Sequence, residues 1–254
     1  MPTDAAGAAE RNLLHAATLW AGAADGGQVD ETESCTFVRC AVPLRSFNQV
    51  LVHRRPADVA GVVAETREYF RGVGGVFRLR IRDDAEPVSD APFLGAGLQR
   101  RGGIPCLTAP TSIGREEGPF EIRAVLDEDT LAQHIDVVAA AFEWWRPDLE
   151  QVFRPSLLHA TGWHAYVGYR DGVAVATAQL IIEDGTAGLY YIGTVEGARS
   201  AGYGDAITRH ALAEAGALGC TLAALQASPM GQPIYERIGF ARVSYYRTFV
   251  AAAS

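Results

Sequence analysis

Between Trp163 and Val195 the chain alternates apolar and polar positions in three runs, WHAYVGYR, VAVATAQLIIE and AGLYYIGTV, separated by Asp171-Gly172 and Asp184-Gly185. Period-two alternation predicts strands, and Asp-Gly favours the tight turns that close hairpins, so an antiparallel meander is expected. Downstream, Ile207, Ala211, Leu212, Ala215 and Leu218 recur at helical spacing, and Gly219 stands where a left-handed cap would end the helix. TLAALQA then predicts a strand, GQPIYERIG a helix and FARVSYYRTFV a last strand. Upstream, FEIRAVLD alternates as a strand. Asp129 is placed to cap a helix carrying Leu131, Ile135, Val138, Ala139 and Phe142, and LEQVFRPSLLH gives a second helix interrupted by proline.

The first hundred residues predict smaller pieces. RNLLHAATLWAGAA reads as a short helix, DGGQVDETES as a loop, TFVRCAVPL and NQVLVHRR as strands, and ADVAGVVAETREYFRGVGG as a helix ending in glycines. VFRLRIRDD predicts a strand with Arg78, Arg80 and Arg82 on one face, read as solvated, the alternative being an anion patch. The Pro/Gly/Ser/charge-rich TAPTSIGREEGP, Thr108 to Pro119, has the composition of a linker and divides the chain into domains 1–110 and 119–254.

Composition narrows the chemistry. With 254 residues, 48% apolar and 20% charged, the chain has the make-up of an ordinary soluble globule. No apolar run approaches a membrane span, and the first thirty residues lack a basic start and an apolar signal core, so a cytoplasmic protein without a membrane partner is expected. A formal net charge of −8 argues against nucleic acid as the main partner. All 22 basic residues are arginine, which excludes a phosphate-loop lysine, a Schiff-base lysine and a lysine general base. Arginine in place of lysine, with abundant Ala and Gly, also resembles the bias of a GC-rich bacterial genome. Cys35, Cys40, Cys106 and Cys220 form no C-x-x-C pair and have no histidine at ligand spacing, so no metal site is expected.

The stretch RSAGYG, Arg199 to Gly204, lies between the third meander strand and an amphipathic helix. A helix N-terminus with little side-chain cover binds anions, because its amides lack intrahelical acceptors and its dipole is positive there. The spacing fits neither a nucleoside-triphosphate loop nor a dinucleotide-binding turn. Two readings stand side by side: the glycines let a tight turn pack on the sheet, or they bare the backbone for a phosphate.

The order of meander, glycine turn, helix, strand, YERIGF and last strand, with V-x-x-x-R-x-x-G-Y-G from Val195 and SPMGQPIYERIGF from Ser228, resembles the GNAT acyltransferase family over Phe120 to Val250. The resemblance implies an α/β (α+β) fold with a mixed, mainly antiparallel sheet flanked by helices, preceded by a smaller α/β domain. It implies acetyl-CoA as cosubstrate; the net acidity and Trp144-Trp145 suit the amine of a small molecule as acceptor, an alcohol or a protein N-terminus being the alternatives. In that reading the amides of Arg199, Ser200, Ala201, Gly202, Tyr203 and Gly204 bind the pyrophosphate, and the backbone near Gly193 and Val195 pairs with the pantetheine arm. Ser228 opens the second motif, and Tyr235 matches the family's tyrosine near the thioester sulfur. Gly197 and Ser200 depart from the proline and glycine common in the family, and Asp205 replaces the commoner Ser or Thr, where it either caps the helix or weakens phosphate binding.

Acetyl transfer to an amine needs a neutral amine, stabilisation of an oxyanion and a proton for the leaving thiolate. A tyrosine of pKa about 10 holds such a proton at neutral pH, so Tyr235 is expected to be the acid, the alternative being an aromatic that packs its helix on the sheet. The base stays open: the pre-loop strand offers only Tyr190 and Tyr191, and Glu183, Glu196 and His164 lie nearby in sequence, a water relay being the other possibility. Trp144 and Trp145 form either an aromatic wall over the acceptor or a hydrophobic seal or dimer contact. Residues 57–107 resemble the rear half of a second, degenerate GNAT domain without the R-x-x-G-x-G loop. A non-catalytic acyl-CoA sensor or interaction module is the alternative to an enzyme.

Overall fold

The computed structural model describes residues 4–84, 89–112 and 120–251. In chain order the elements are α1 (Ala5–Ala23), β1 (Gln28–Glu31), β2 (Cys35–Arg39), β3 (Gln49–Val52), α2 (Val59–Tyr69), β4 (Arg78–Arg82), α3 (Ala91–Gly95), β5 (Leu98–Pro110), β6 (Glu121–Ala124), α4 (Glu128–Phe142), α5 (Arg146–Val152), β7 (Trp163–Arg170), β8 (Val173–Glu183), β9 (Thr186–Thr194), α6 (Tyr203–Ala217), β10 (Leu222–Gln226), α7 (Gln232–Ile238) and β11 (Ala241–Ala251). Two compact units divide the chain, residues 1–16 with 106–243 and residues 17–105 with 244–254.

The first unit contains the meander. Its strands run β5-β10-β9-β8-β7-β6, with β9 and β10 parallel and the other neighbours antiparallel. Asp171, Gly172, Asp184 and Gly185 have φ of 51, 78, 46 and 69°; positive φ at both central residues is what a hairpin turn matching the strand twist requires. β8 shows how both faces are sealed. Ala176, Ala178 and Leu180 join Ile207, Ala211, Leu212 and Ala215 of α6 in one buried cluster. Thr177 and Gln179, alternate to these, meet His134 of α4 on the opposite face. Helix α4 starts earlier than its periodicity suggests: Asp127, not Asp129, is the cap, accepting from Thr130 N at 2.8 Å while the Thr130 hydroxyl accepts from Asp127 N.

The second unit orders its strands β1-β2-β3-β4-β11, with β3 and β4 parallel. Phe37, Phe70, Phe77, Phe93 and Phe249 dominate its core. Strand β1 lies in the stretch expected to be a loop; QVDE has one apolar side chain and no readable alternation, and its pairing with β2 makes it a strand. The arginines of β4 are not a solvated face: Arg80 is buried with its guanidinium 6.0 Å from the Tyr246 ring, and Arg82 pairs with Asp84 at 3.0 Å. The Tyr246 ring on the neighbouring β11 lies beside Arg80 on the same face and helps shield it from water.

The two units repeat one order: meander, helix, parallel strand, helix, final strand. Their final strands are exchanged along the chain, since β11 flanks β4 and residues 106–110 of β5 flank β10. The stretch read as a linker therefore begins as strand, with Thr108, Ala109 and Pro110 opposite Ala224, Ala223 and Leu222; residues 113–119 lie outside those described.

His134 anchors α4 through a one-way chain of hydrogen bonds. Gln179 Oε1 accepts from Trp163 Nε1 at 3.4 Å, which turns the Gln179 amide nitrogen toward His134 Nε2 at 2.8 Å. His134 Nε2 is then the acceptor, and Nδ1–H donates to Thr177 Oγ1, whose hydroxyl donates to Tyr166 O at 3.0 Å. Complete burial lowers the His134 pKa to about 3. An unfolded histidine titrates near 6.5, so above that pH neither state is charged; below it the unfolded chain takes up a proton that the folded one refuses. Stability is therefore expected to fall as pH drops from about 6.5 toward about 3, with a slope from this residue approaching about 1.4 kcal/mol per pH unit. Urea titrations across this range should show that His134→Gln is less stable at neutral pH but loses that part of the acid dependence.

Candidate functional site

The parallel register of β9 and β10 ends at Gly188 opposite Ala224, while β9 runs on to Thr194 and β10 to Gln226. The strands part there, and a bulge shapes the parted edge. Thr177 faces Gly193 and Gln179 faces Tyr190, so Ala178 is opposed by both Tyr191 and Ile192. Tyr191 takes φ of 47°, a left-handed conformation that a non-glycine residue adopts at a cost of roughly 1–2 kcal/mol. The extra residue brings Tyr190 and Tyr191 onto one face. Tyr190 donates to Asn12 Oδ1 at 2.7 Å, and the Tyr191 ring packs against Phe142, Trp144 and Phe153 with centroids 6.2, 6.0 and 5.3 Å away.

The bulge also sets which backbone groups face the opening. Val195 N–H donates to Val175 O at 2.9 Å, and Val195 O accepts from Ala198 N, so Val195 belongs to the β8 ladder and the following turn. Gly193, two residues earlier and opposite Thr177, shares that edge, and its Cα faces Ala141 and Phe142. By alternation it is Ile192 and Thr194 that turn their polar edges to the opening. Gly193 and Val195 are thus one residue out of register for pairing with an extended ligand; a bulge that inserts one residue produces such an offset.

After β9 a short 3-10 turn, Glu196–Ala198, uses the Arg199 amide, which donates to Glu196 O at 3.1 Å, so Arg199 N–H is not among the amides left for a ligand. The Arg199 guanidinium donates to Thr194 O and to Ala141 O at the end of α4, bracing the loop. Ser200 and Ala201 are exposed, and Ser200 has φ of 62°, the conformation for which the family's glycine is suited. Gly202, φ 90°, precedes α6 and supplies no side-chain cap. Tyr203 is buried against Phe120, and Gly204 faces Thr194 Oγ1 and Ile234 Cδ1 at the 3.6 and 3.8 Å measured from an added Cβ, which is ordinary contact. Asp205 does not cap the helix; it pairs with Arg209 at 2.7 Å.

Ile234 precedes Tyr235, so the two sequence motifs meet at the start of α6. Ser228 Oγ accepts from Gly231 N at 3.1 Å and fixes the turn into α7. The Tyr235 ring lies on the bare Gly231 backbone, where an added Cβ would come within 2.8 Å of the ring and 3.2 Å of Oη. Burial pushes the Tyr235 phenol up to about 12. Of the carboxylates and imidazole weighed as bases, Glu183 pairs with His15 at 3.3 Å by the β8–β9 turn, Glu196 is exposed, and His164 faces Leu180 across β7–β8, its pKa lowered by burial and partly restored by Glu214. None belongs to the bulge. Trp144 stacks on Phe142 at 5.1 Å, while Trp145 is exposed, so the two tryptophans do not act as a pair.

The second unit offers an internal comparison. There the strand-to-helix turn HRRPAD leads into α2, and Asp58 caps it by accepting from Gly61 N at 2.9 Å. The cavity of about 620 Å³ beside it is lined by Arg55, Asp58, Ser89 and Pro92 among others. At this turn the chain's own carboxylate caps the helix start; at α6 the N-cap residue Gly202 supplies no side chain, and none among the described residues is seen to cap it.

Residues 128–240 match the model of the Acetyltransferase (GNAT) family. None of the curated proteins matches the chain in sequence. Among solved structures, a GCN5-related N-acetyltransferase from Kribbella flavida superposes with a TM-score of 0.75 at 17% identity, covering 97% of this chain and 96% of that one. A GCN5-related N-acetyltransferase from Sphaerobacter thermophilus gives 0.57 at 15% identity over 87% and 81%. A tandem GNAT protein from the clavulanic acid biosynthesis pathway gives 0.58 at 13% identity over 91% and 86%. The family match over residues 128–240, together with the mixed sheet and the parting of β9 from β10, makes this segment similar to the GNAT acetyltransferase family in sequence and fold.

Proposed function

We propose that the protein is an acetyl-CoA-dependent N-acetyltransferase that acts on the amine of a small molecule. The observation that carries this reading is the uncapped start of α6 facing the place where β9 leaves β10, with Ile234 and Tyr235 beside it. The amides of Ser200 to Gly204 suit a pyrophosphate, and the edge of Ile192, with the N–H of Thr194 whose carbonyl is taken by Arg199, suits an extended arm with amide groups. When bound, acetyl-CoA supplies an acetyl group activated as a thioester. The chain's own part is to hold it against the bulge, where backbone N–H groups can receive an oxyanion, and to keep a proton on Tyr235 Oη for the departing sulfur. The partly exposed Phe142, Trp144 and Tyr191 suit the body of an amine acceptor, whose cationic form aromatic faces and an acidic protein both attract. No base is assigned to the bulge, so the amine's proton passes to water. That last feature favours the second reading, an acyl-CoA sensor without turnover. Release of free thiol from acetyl-CoA with a panel of amines separates the two.

Gly204 distinguishes a ligand seat from a tight turn. Its φ is not left-handed and an added Cβ meets nothing closer than 3.6 Å, so Gly204→Ala should keep or raise stability, by up to about 1 kcal/mol. Coenzyme A affinity, measured by calorimetry, should nonetheless fall by roughly tenfold or more as the methyl group intrudes on the anion. Unchanged affinity would remove the loop from the binding site.

Tyr235→Phe should lower kcat by roughly tenfold to a thousandfold with acetyl-CoA affinity nearly unchanged, the scale for removing a general acid. Because burial raises its pKa to about 12, the wild-type phenol keeps its proton to higher pH than a free tyrosine near 10. The kcat profile should therefore show no loss assignable to Tyr235 between about pH 8 and about pH 10. An alkaline limb near 10 that disappears in Tyr235→Phe would contradict this.

A further inference from the structure

We infer that Asn12, on α1 and outside the family-matched segment, is a positioning residue that holds the β9 bulge in its working shape through Tyr190. The inference rests on the acetyltransferase reading for its effect on rate, but its geometry stands apart from that reading. Asn12 is fully buried and spends both ends of its amide on the meander. Its Nδ2 donates to Ile181 O on β8 at 2.9 Å and to Thr186 O on β9 at 3.0 Å, and its Oδ1 accepts from Tyr190 Oη at 2.7 Å. One side chain thus ties the two strands beside their turn and reaches the residue immediately before the left-handed Tyr191. Gly188 is bare at the point of contact: an added Cβ would lie 1.8 Å from Asn12 Oδ1 and 2.4 Å from the Tyr190 ring.

A bulky residue at φ 47° persists only where its surroundings over-determine it. On the Tyr191 side that role falls to Phe142, Trp144 and Phe153. Phe142 and Trp144 are partly exposed, so the aromatic packing is open on one flank. On the Tyr190 side the restraint is a buried, directional hydrogen bond to Asn12, and Gln179 lies across the strand pair. Releasing that bond lets Tyr190 shift and the bulge relax, moving the edge of Ile192 away from the reacting group. A misplacement of this kind lowers rate much more than binding, because the helix start that grips the phosphates is untouched.

The test uses the full-length chain with Tyr190→Phe, Asn12→Leu and both together. Three quantities are measured: kcat with an amine that the wild type acetylates, acetyl-CoA affinity by calorimetry, and amide hydrogen exchange of peptides covering 188–195 and 203–217. Each single variant should lower kcat by roughly tenfold to a hundredfold with affinity within about twofold, and should speed exchange in 188–195 without changing 203–217. The double variant should be no slower than the worse single one, because both remove the same bond. Tyr190→Phe leaves the ring in place and guards against a fold defect in Asn12→Leu. Wild-type rate and exchange in Tyr190→Phe would overturn the inference, as would exchange that rises equally in both peptides. If the wild type acetylates no amine, the acetyltransferase reading fails by itself, and the exchange comparison decides whether Asn12 holds the bulge.

Discussion

The edge of β9 at the candidate site is set by one strained residue. Tyr191 sits left-handed in β9, and the extra residue that this admits shifts the ladder, so that the edges facing the opening belong to Ile192 and Thr194. The same shift puts two successive tyrosines on the α4 face, one bonded to Asn12 and one packed among Phe142, Trp144 and Phe153. The cost of one unfavourable φ is small beside the burial and hydrogen bonds that surround it. The reward is a parted pair of parallel strands whose edge keeps unpaired backbone groups without exposing a long sheet edge.

The two units differ most where their helices begin. Helix α2 is closed by Asp58, the arrangement expected of a helix that only has to be stable. Helix α6 forgoes that cap and starts from Gly202, so that its first amides and the positive end of its dipole have no capping side chain among the described residues. Asp205 does not compensate, because Arg209 takes its carboxylate. Ser200, Ala201 and Gly202 are exposed, so those amides stay within reach of water or a ligand. The contrast inside one chain explains why the anion-binding reading attaches to residues 200–204 and not to 54–58.

Much of the first unit was legible because its signals are local. Asp171-Gly172 and Asp184-Gly185 encode turns by their tolerance of positive φ, the apolar face of α6 has a clean period, and the loop and Tyr235 motifs are read directly from residue order. What escaped depends on partners far along the chain. Strand β1 has no alternation of its own and exists through β2. The arginines of β4 look like a solvated stripe until β3 and β11 flank them. The one-residue offset at Gly193 and Val195 cannot be seen in LYYIGTV, since nothing in a tyrosine announces a left-handed backbone. Asn12 resembles any polar residue on a short helix, and its role appears only with Tyr190 beside it.

The exchange of final strands was the least legible feature, and its consequence reaches the site. Strands β5 and β11 are both long and preceded by a short helix, so order along the chain assigns each to the repeat that contains it. The pairing assigns them the other way: Cys106 to Pro110 cover β10 on the side away from β9, and Leu225 and Gln226, beyond the point where β9 departs, keep Leu107 and Cys106 as partners. A strand that loses one neighbour at an opening needs the other to remain ordered. The strand that steadies the far wall of the parted pair thus comes from the half of the chain that lacks the glycine loop. Residues 106–110 of β5 thus serve the site by completing the sheet of the first unit.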